Sequence, residues 1–186
     1  MKPALIIIGL GNPGEDYAAT RHNTGFRALD ALAKIFKTGE WRDQRKFLAD
    51  TMEGRIVTVP VLLVKPRTYM NRSGECVRKL LDFYHLEPAQ ALILCDDIDL
   101  APGDLRFREK GGPGTHNGLK SIVEQIGEEF PRIRIGIGPQ KEGEDLSVYV
   151  LSKPSDTERK EIAAAMTKIP EIVRGFVLGE KGGASA

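Results

Sequence analysis

The sequence predicts a single α/β domain, in which a mixed, mostly parallel central sheet carries helices on both faces. Three observations predict it. Short β-branched runs bounded by glycine or proline alternate with stretches of helical periodicity along the chain. Several of those runs are continuously apolar, the pattern of strands covered on both faces. The 186 residues suit one domain, and no repeat or linker interrupts them.

The elements follow in order. Residues 4–10, "ALIIIGL", are long enough for a buried strand and too short for a helix. "FRALDALAKIF" sets Phe26, Leu29, Ala33 and Phe36 on one helical face. Residues 46–66 contain two or three short strands, with turns expected at Glu53-Gly54 and near Pro60. Val77, Leu80, Leu81 and Tyr84 form the next helical stripe, and residues 91–95, "ALILC", the next buried strand. "LRFRE" alternates, Leu119, Ile122, Val123 and Ile126 make another stripe, and "RIRIGIG" alternates again. A last helix opens at Ser155 with Glu158 at capping-box spacing and runs through Ile162, Ala165, Met166 and Ile169. Pro170 should kink or interrupt it, and residues 178–186 are expected to be a frayed tail.

Composition excludes several classes. With 41% hydrophobic and 28% charged residues the chain is neither disordered nor a membrane protein, and no apolar run nears a bilayer span. The N-terminus lacks the pattern of a signal peptide. Cys76 and Cys95 give neither a disulfide framework nor a C-x-x-C pair, which points to a reducing cytoplasm. A net charge of +1 says little about partners, so an acidic polymer would need a local basic cluster.

Ligands of open α/β sheets gather at the C-terminal ends of strands. Asn12, Tyr17, His22 and Asn23 follow the first strand there, and Asp96, Asp97 and Asp99 the strand at 91–95. Tyr69 and Asn71 follow "VLLV", and His116 and Asn117 precede a helix. Gly9, Gly11 and Gly14 spell the dinucleotide fingerprint G-x-G-x-x-G. A pyrophosphate site needs a helix starting at those glycines. Pro13 removes a donor and helical periodicity begins only near Phe26, so a tight turn is the better reading. His22 beside an acidic strand end has the makings of a general base, and without G-x-S-x-G the base would activate water. The nearby asparagines suit a substrate with amide or carbonyl groups. His22, His116 and Asp96/Asp97/Asp99 could alternatively ligate a metal, although without the spacing of a metal motif. His85 reads as a helix-end residue.

The segments "GLGNPGEDYAATRHNTGF", "PRTYMNRSGE", "CDDIDLAPGDLRFREKGG", "HNGLKSI" and "RIRIGIG" resemble, in this order, the bacterial peptidyl-tRNA hydrolases. The resemblance implies a monomeric cytosolic enzyme of translation and ribosome rescue that binds tRNA. It would cleave the ester between peptide and the tRNA acceptor end without a metal or other cofactor. Carried over by position, His22 is the general base and Asp96 the carboxylate that holds it. Asn12 distinguishes blocked from free amino groups, and Tyr17, Tyr69, Asn71 and Asn117 bind substrate. His116 is a supporting, structural residue. Arg106, Arg108 and Lys110 alternate along one stretch and Arg132 and Arg134 along another. The resemblance makes Arg108 and Arg134 a phosphate clamp, assisted near Lys110 and Lys120. Pro113 and Thr115 stand where the family carries small residues or glycine in a gate loop, and Cys95 where it carries histidine. A non-catalytic RNA binder using the same groove is the alternative, although such a protein has no need of a paired base.

Overall fold

In the computed structural model, which describes residues 2–36 and 39–180, the strands are β1 (Leu5–Gly9), β2 (Arg42–Gln44), β3 (Ala49–Ile56), β4 (Val59–Pro66), β5 (Ala91–Asp97), β6 (Leu105–Arg108) and β7 (Arg132–Gly136). The helices are α1 (Glu15–Ala18), α2 (Thr24–Ile35), α3 (Ser73–Tyr84), α4 (Asn117–Ile126), α5 (Leu146–Leu151), α6 (Asp156–Met166) and α7 (Ile169–Val177). The strands form one sheet in the order β2-β3-β4-β1-β5-β7-β6. Its centre, β4-β1-β5-β7, is parallel, while β2, β3 and β6 add antiparallel edges.

β1 is buried along its whole length, and its side chains alternate between two cores. Ile6 and Ile8 meet Val77, Leu80 and Leu81 of α3 and Leu119 and Ile122 of α4. Leu5 and Ile7 meet Ala28, Leu29 and Leu32 of α2 and Ile169, Ile172 and Val173 of α7. Each such aliphatic side chain contributes about 1.5–3 kcal/mol, so the middle of the sheet is the rigid frame on which its loops are mounted.

The structure refines several expectations. α2 turns Ala28, Leu29 and Leu32 fully inward, leaves Ala33 and Phe36 at the core margin, and lays Phe26 over Gly11. The cause is close packing. A Cβ on Gly25 would lie 2.4 Å from Leu94 O and 2.5 Å from Leu10 N, so the helix backbone rests on the sheet. No turn forms at Glu53-Gly54, because β3 continues to Ile56, which is fully buried; the turn expected near Pro60 falls at Val57-Thr58. Pro60 sits inside β4, one residue before the ladder with β1 begins at Val61, so its missing N–H costs that ladder nothing. Ser155 caps α6 as the spacing required, and Pro170 occupies the first turn of a separate α7. Of the expected tail, Leu178 and Gly179 donate backbone bonds that close α7, and residues 181–186 lie outside the described residues. α5 has no counterpart in the sequence reading.

Candidate active site

β1 and β5 are adjacent and parallel, so the loops leaving their C-terminal ends converge. The loop after β1 ends in a 3-10 turn, Arg21–Asn23, that delivers His22. Asn23 folds that loop back on itself: its Nδ2 donates to Asn12 O (2.9 Å) and its Oδ1 accepts from Asn12 N (2.8 Å). Asn12 Oδ1 in turn accepts the backbone N–H of Met70 at 2.8 Å. A backbone N–H can only donate, so the amide orientation of Asn12 is fixed. Its NH2 group is left without a protein acceptor among the described residues and borders the pocket. The same bond holds the peptide after Tyr69, a non-glycine residue at φ 58°, where backbone strain is about 1–3 kcal/mol.

Asp96, fully enclosed near the end of β5, accepts from both nearby histidines. His22 Nδ1 lies 3.0 and 2.9 Å from its two oxygens, and His116 Nε2 lies 3.0 Å from Oδ1. His116 is the N-cap of α4, where its Nδ1 accepts Leu119 N–H at 3.2 Å. That acceptor role leaves the proton of neutral His116 on Nε2, aimed at Asp96. The same network places the proton of neutral His22 on Nδ1, and its Nε2 carries a lone pair with no protein donor among the described residues. Burial by itself would raise the Asp96 carboxyl, but the charge of both imidazoles and their hydrogen bonds outweigh it and hold the group well below the usual carboxylate range. For His22, burial disfavours the charged ring, while the Asp96 charge and hydrogen bond more than offset it, so its pKa is raised.

These groups open onto a pocket of about 800 Å³ lined by Asn12, His22, Tyr69, Asn71, Asp96, His116, Asn117 and Arg134 among others. Asn12, Asn71 and Asn117, to which the sequence pointed, therefore line the same pocket as His22. Tyr17 lies one step outside, its ring edge-on to Tyr69 with centroids 6.2 Å apart. Arg108 is exposed on edge strand β6 and does not line the pocket. Arg134 does, with its Nε against Asp97 in an ion pair that lacks hydrogen-bond geometry and its Nη2 3.6 Å from Asp99. Arg132 is buried, donating to Gly112 O, Glu128 O and Phe130 O, so it braces the loop before α4. Pro113 and Thr115 of that loop line the pocket. His85, as expected, ends α3, in the left-handed region.

His116, expected as a supporting residue or as a metal ligand with Asp96, joins the Asp96 network as a hydrogen-bond donor. Two features had no signal in the sequence: Asn23 locks the loop of Asn12, and α5 forms one pocket wall. Cys95, where the resemblance has histidine, is fully buried, and burial pushes its thiol upward, while that of Cys76 rises to about 12.

His22, Asp96 and His116 offer ligand atoms within 4.8 Å of one another. They fit a metal poorly. With Nδ1 of His116 accepting from Leu119, ligation through Nε2 would require an imidazolate, and His22 Nδ1 is likewise the proton-bearing atom. The glycines fit a nucleotide no better. A Cβ on Gly9 would stand 2.4 Å from Gly25 O, Gly11 lies under the Phe26 ring, and Gly14 (φ 106°) opens a helix of only 4 residues. They serve packing and a turn.

The family model described as peptidyl-tRNA hydrolase matches residues 6–184. A peptidyl-tRNA hydrolase of Brevibacillus brevis is 48% identical over 163 residues, covering 87% of this chain and 85% of the relative. One from Bacillus subtilis is 46% identical over 168 residues, covering 88% and 87%. The crystal structure of the peptidyl-tRNA hydrolase of Acinetobacter baumannii superposes with a TM-score of 0.91 at 39% identity, covering 97% of this chain and 91% of that one.

Proposed function

The chain belongs to the peptidyl-tRNA hydrolase family, and from that premise we propose how its residues hydrolyse the ester between peptide and tRNA. The observation that carries the reading is His22 Nε2, met by no protein donor among the described residues and backed by buried Asp96, with the NH2 group of Asn12 at the same pocket. Water attacks the ester carbonyl carbon as His22 Nε2 takes its proton, and Asp96 stabilises the imidazolium. The Asn12 amide donates to the developing oxyanion. The bond to the ribose oxygen then breaks, and His22 returns the proton to that leaving oxygen. An acyl ester is already activated, so one base and one oriented water suffice.

Asn12 presents donors, and a free ammonium is also only a donor. The two groups disfavour each other, which supports a preference for N-blocked substrates. Asn71 and Asn117 offer neutral amides that match peptide N–H and C=O groups, and Tyr69, braced by Tyr17, offers a face for the acceptor-end nucleoside. Arg108 and Arg134 engage phosphate. His116 donates to Oδ1 of Asp96 and steadies the carboxylate. The enzyme works as a monomer in the cytoplasm and returns tRNA to translation. Among the described residues, no helix is long and apolar enough to cross a membrane.

The test is hydrolysis of purified N-acetyl-aminoacyl-tRNA in the presence of a chelator. Release of tRNA and N-acetyl amino acid by the wild type, lost in a folded His22→Ala variant, is expected. A protein that binds this substrate without turnover would instead be a tRNA-binding relative.

A further inference from the structure

The turn that carries His22 also carries Arg21, which the mechanism above does not use. Arg21 is only 7% exposed and reaches away from the dyad. Its backbone N–H donates to Ser152 O at 2.9 Å. Nη1 donates to Ser152 Oγ (2.6 Å) and Lys153 O (2.8 Å), and Nη2 to the two oxygens of Glu158 (3.1 and 2.8 Å). The guanidinium lies 4.3 Å from the centre of the Tyr149 ring. Tyr149 in turn donates its hydroxyl to Ile137 O at 2.8 Å, just beyond β7.

Tyr149 belongs to α5, Ser152 and Lys153 directly follow it, and Glu158 lies in the first turn of α6, so Arg21 ties both ends of this segment to its own turn; α5 closes one side of the pocket with Leu146, Val150 and Leu151. α5 has 6 residues, too few to hold itself in place. A buried guanidinium costs desolvation free energy, and a well-packed apolar residue would serve the fold equally well. What the planar fork adds is direction: it fixes a carboxylate, a carbonyl, a hydroxyl and a ring at once, which an ammonium cannot do.

We propose that Arg21 is a positioning residue that locks the α5 wall to the turn bearing His22. An apolar side chain on the esterified amino acid, resting against Leu146 and Val150, is then held in register with the base. The inference rests on the reading of His22 as that base.

Arg21→Lys tests it with N-acetyl-leucyl-tRNA and N-acetyl-glycyl-tRNA as substrates. KM for the leucyl substrate should rise about tenfold, the size of a misplaced apolar contact, with the glycyl substrate changed less than about twofold. The pH at which kcat rises should stay put, because the His22–Asp96 pair is untouched, and inhibition by uncharged tRNA should be unchanged. Equal loss of kcat on both substrates at constant KM would mark Arg21 as merely structural and overturn the proposal, as would wild-type kinetics. Should Arg21→Lys fail to fold by circular dichroism, Glu158→Gln serves instead, since glutamine keeps the capping box of α6. It should show the same selective shift at about threefold, one hydrogen bond's worth, and its absence there overturns the proposal. A wild type inactive on both substrates would overturn the hydrolase reading itself.

Discussion

Asp96→Asn keeps the shape of the side chain and removes one acceptor. Asp96 accepts from His22 Nδ1 and His116 Nε2, and asparagine can accept through only one oxygen. The tautomer of His116 is fixed by Leu119 N–H, so the amide keeps its oxygen at the Oδ1 position that His116 needs and sets its NH2 group at the Oδ2 position, 2.9 Å from His22 Nδ1. The His22 proton then moves to Nε2, and the lone pair that faced the pocket is gone. Turnover should fall by about 10²–10⁴, the value of a general base. The pH profile adds an independent sign. In the proposed mechanism His22 must be neutral to act, so the wild-type rate should rise with pH through a pKa that Asp96 holds above the ordinary imidazole value. With the charge gone, burial alone remains and disfavours imidazolium, so the rise moves to lower pH at a reduced plateau. The double variant Asp96→Asn/His116→Asn should recover part of the loss. Asparagine still caps α4 but is too short to claim the amide oxygen, which can turn to His22; a bias of about 1.4 kcal/mol gives about tenfold. The assay is single-turnover hydrolysis of N-acetyl-aminoacyl-tRNA between about pH 5 and about pH 9, the window of imidazole titration, with folding checked by circular dichroism. An Asp96→Asn enzyme keeping more than about a tenth of its rate, or additive losses in the double variant, would refute the reasoning.

Asn12→Ala removes both the donor at the pocket and the anchor of Met70 N–H; turnover of blocked substrate should drop and its advantage over free aminoacyl-tRNA narrow, measured as the ratio of kcat/KM values. Arg108→Ala should lower the salt slope of tRNA binding by about one without affecting an acyl ester of a short nucleoside fragment. Arg134→Ala should do the same and also lower the melting temperature, because it leaves buried Asp97 without its counter-charge. Gly25→Ala should cost more than about 3 kcal/mol in urea unfolding, since its Cβ would meet backbone atoms at 2.4–2.6 Å on a sheet that cannot give way. The carboxylate of Asp96, depressed in the folded state, contributes stability above the ordinary carboxylate pKa. That contribution is lost as pH falls through its lower folded value, so acid unfolding of Asp96→Asn should show a shallower pH dependence.

The sequence by itself determined the architecture and pointed to many of the side chains that the fold gathers around the pocket. Apolar runs at 4–10 and 91–95 could only be buried strands, because their length and composition suit no other element. Asn12, His22, Asp96 and His116 all lay beside strand or helix ends, where α/β sheets collect ligands. Capping at Ser155 was equally legible, being a matter of 4 residues. The absence of a turn at Glu53-Gly54 was not, since Gly54 is as good a local turn signal as Pro60 and only the burial of Ile56 rejects it. Only the tertiary structure decided the protonation pattern of the site. That Asp96 serves two histidines, and that Leu119 N–H fixes the tautomer of one of them, depends on β5 and α4 meeting across 20 residues of chain. The same holds for the anchoring of α5 by Arg21, across 131 residues. Hydrogen-bond direction is set by which donors and acceptors face one another in space, and the local sequence does not encode that.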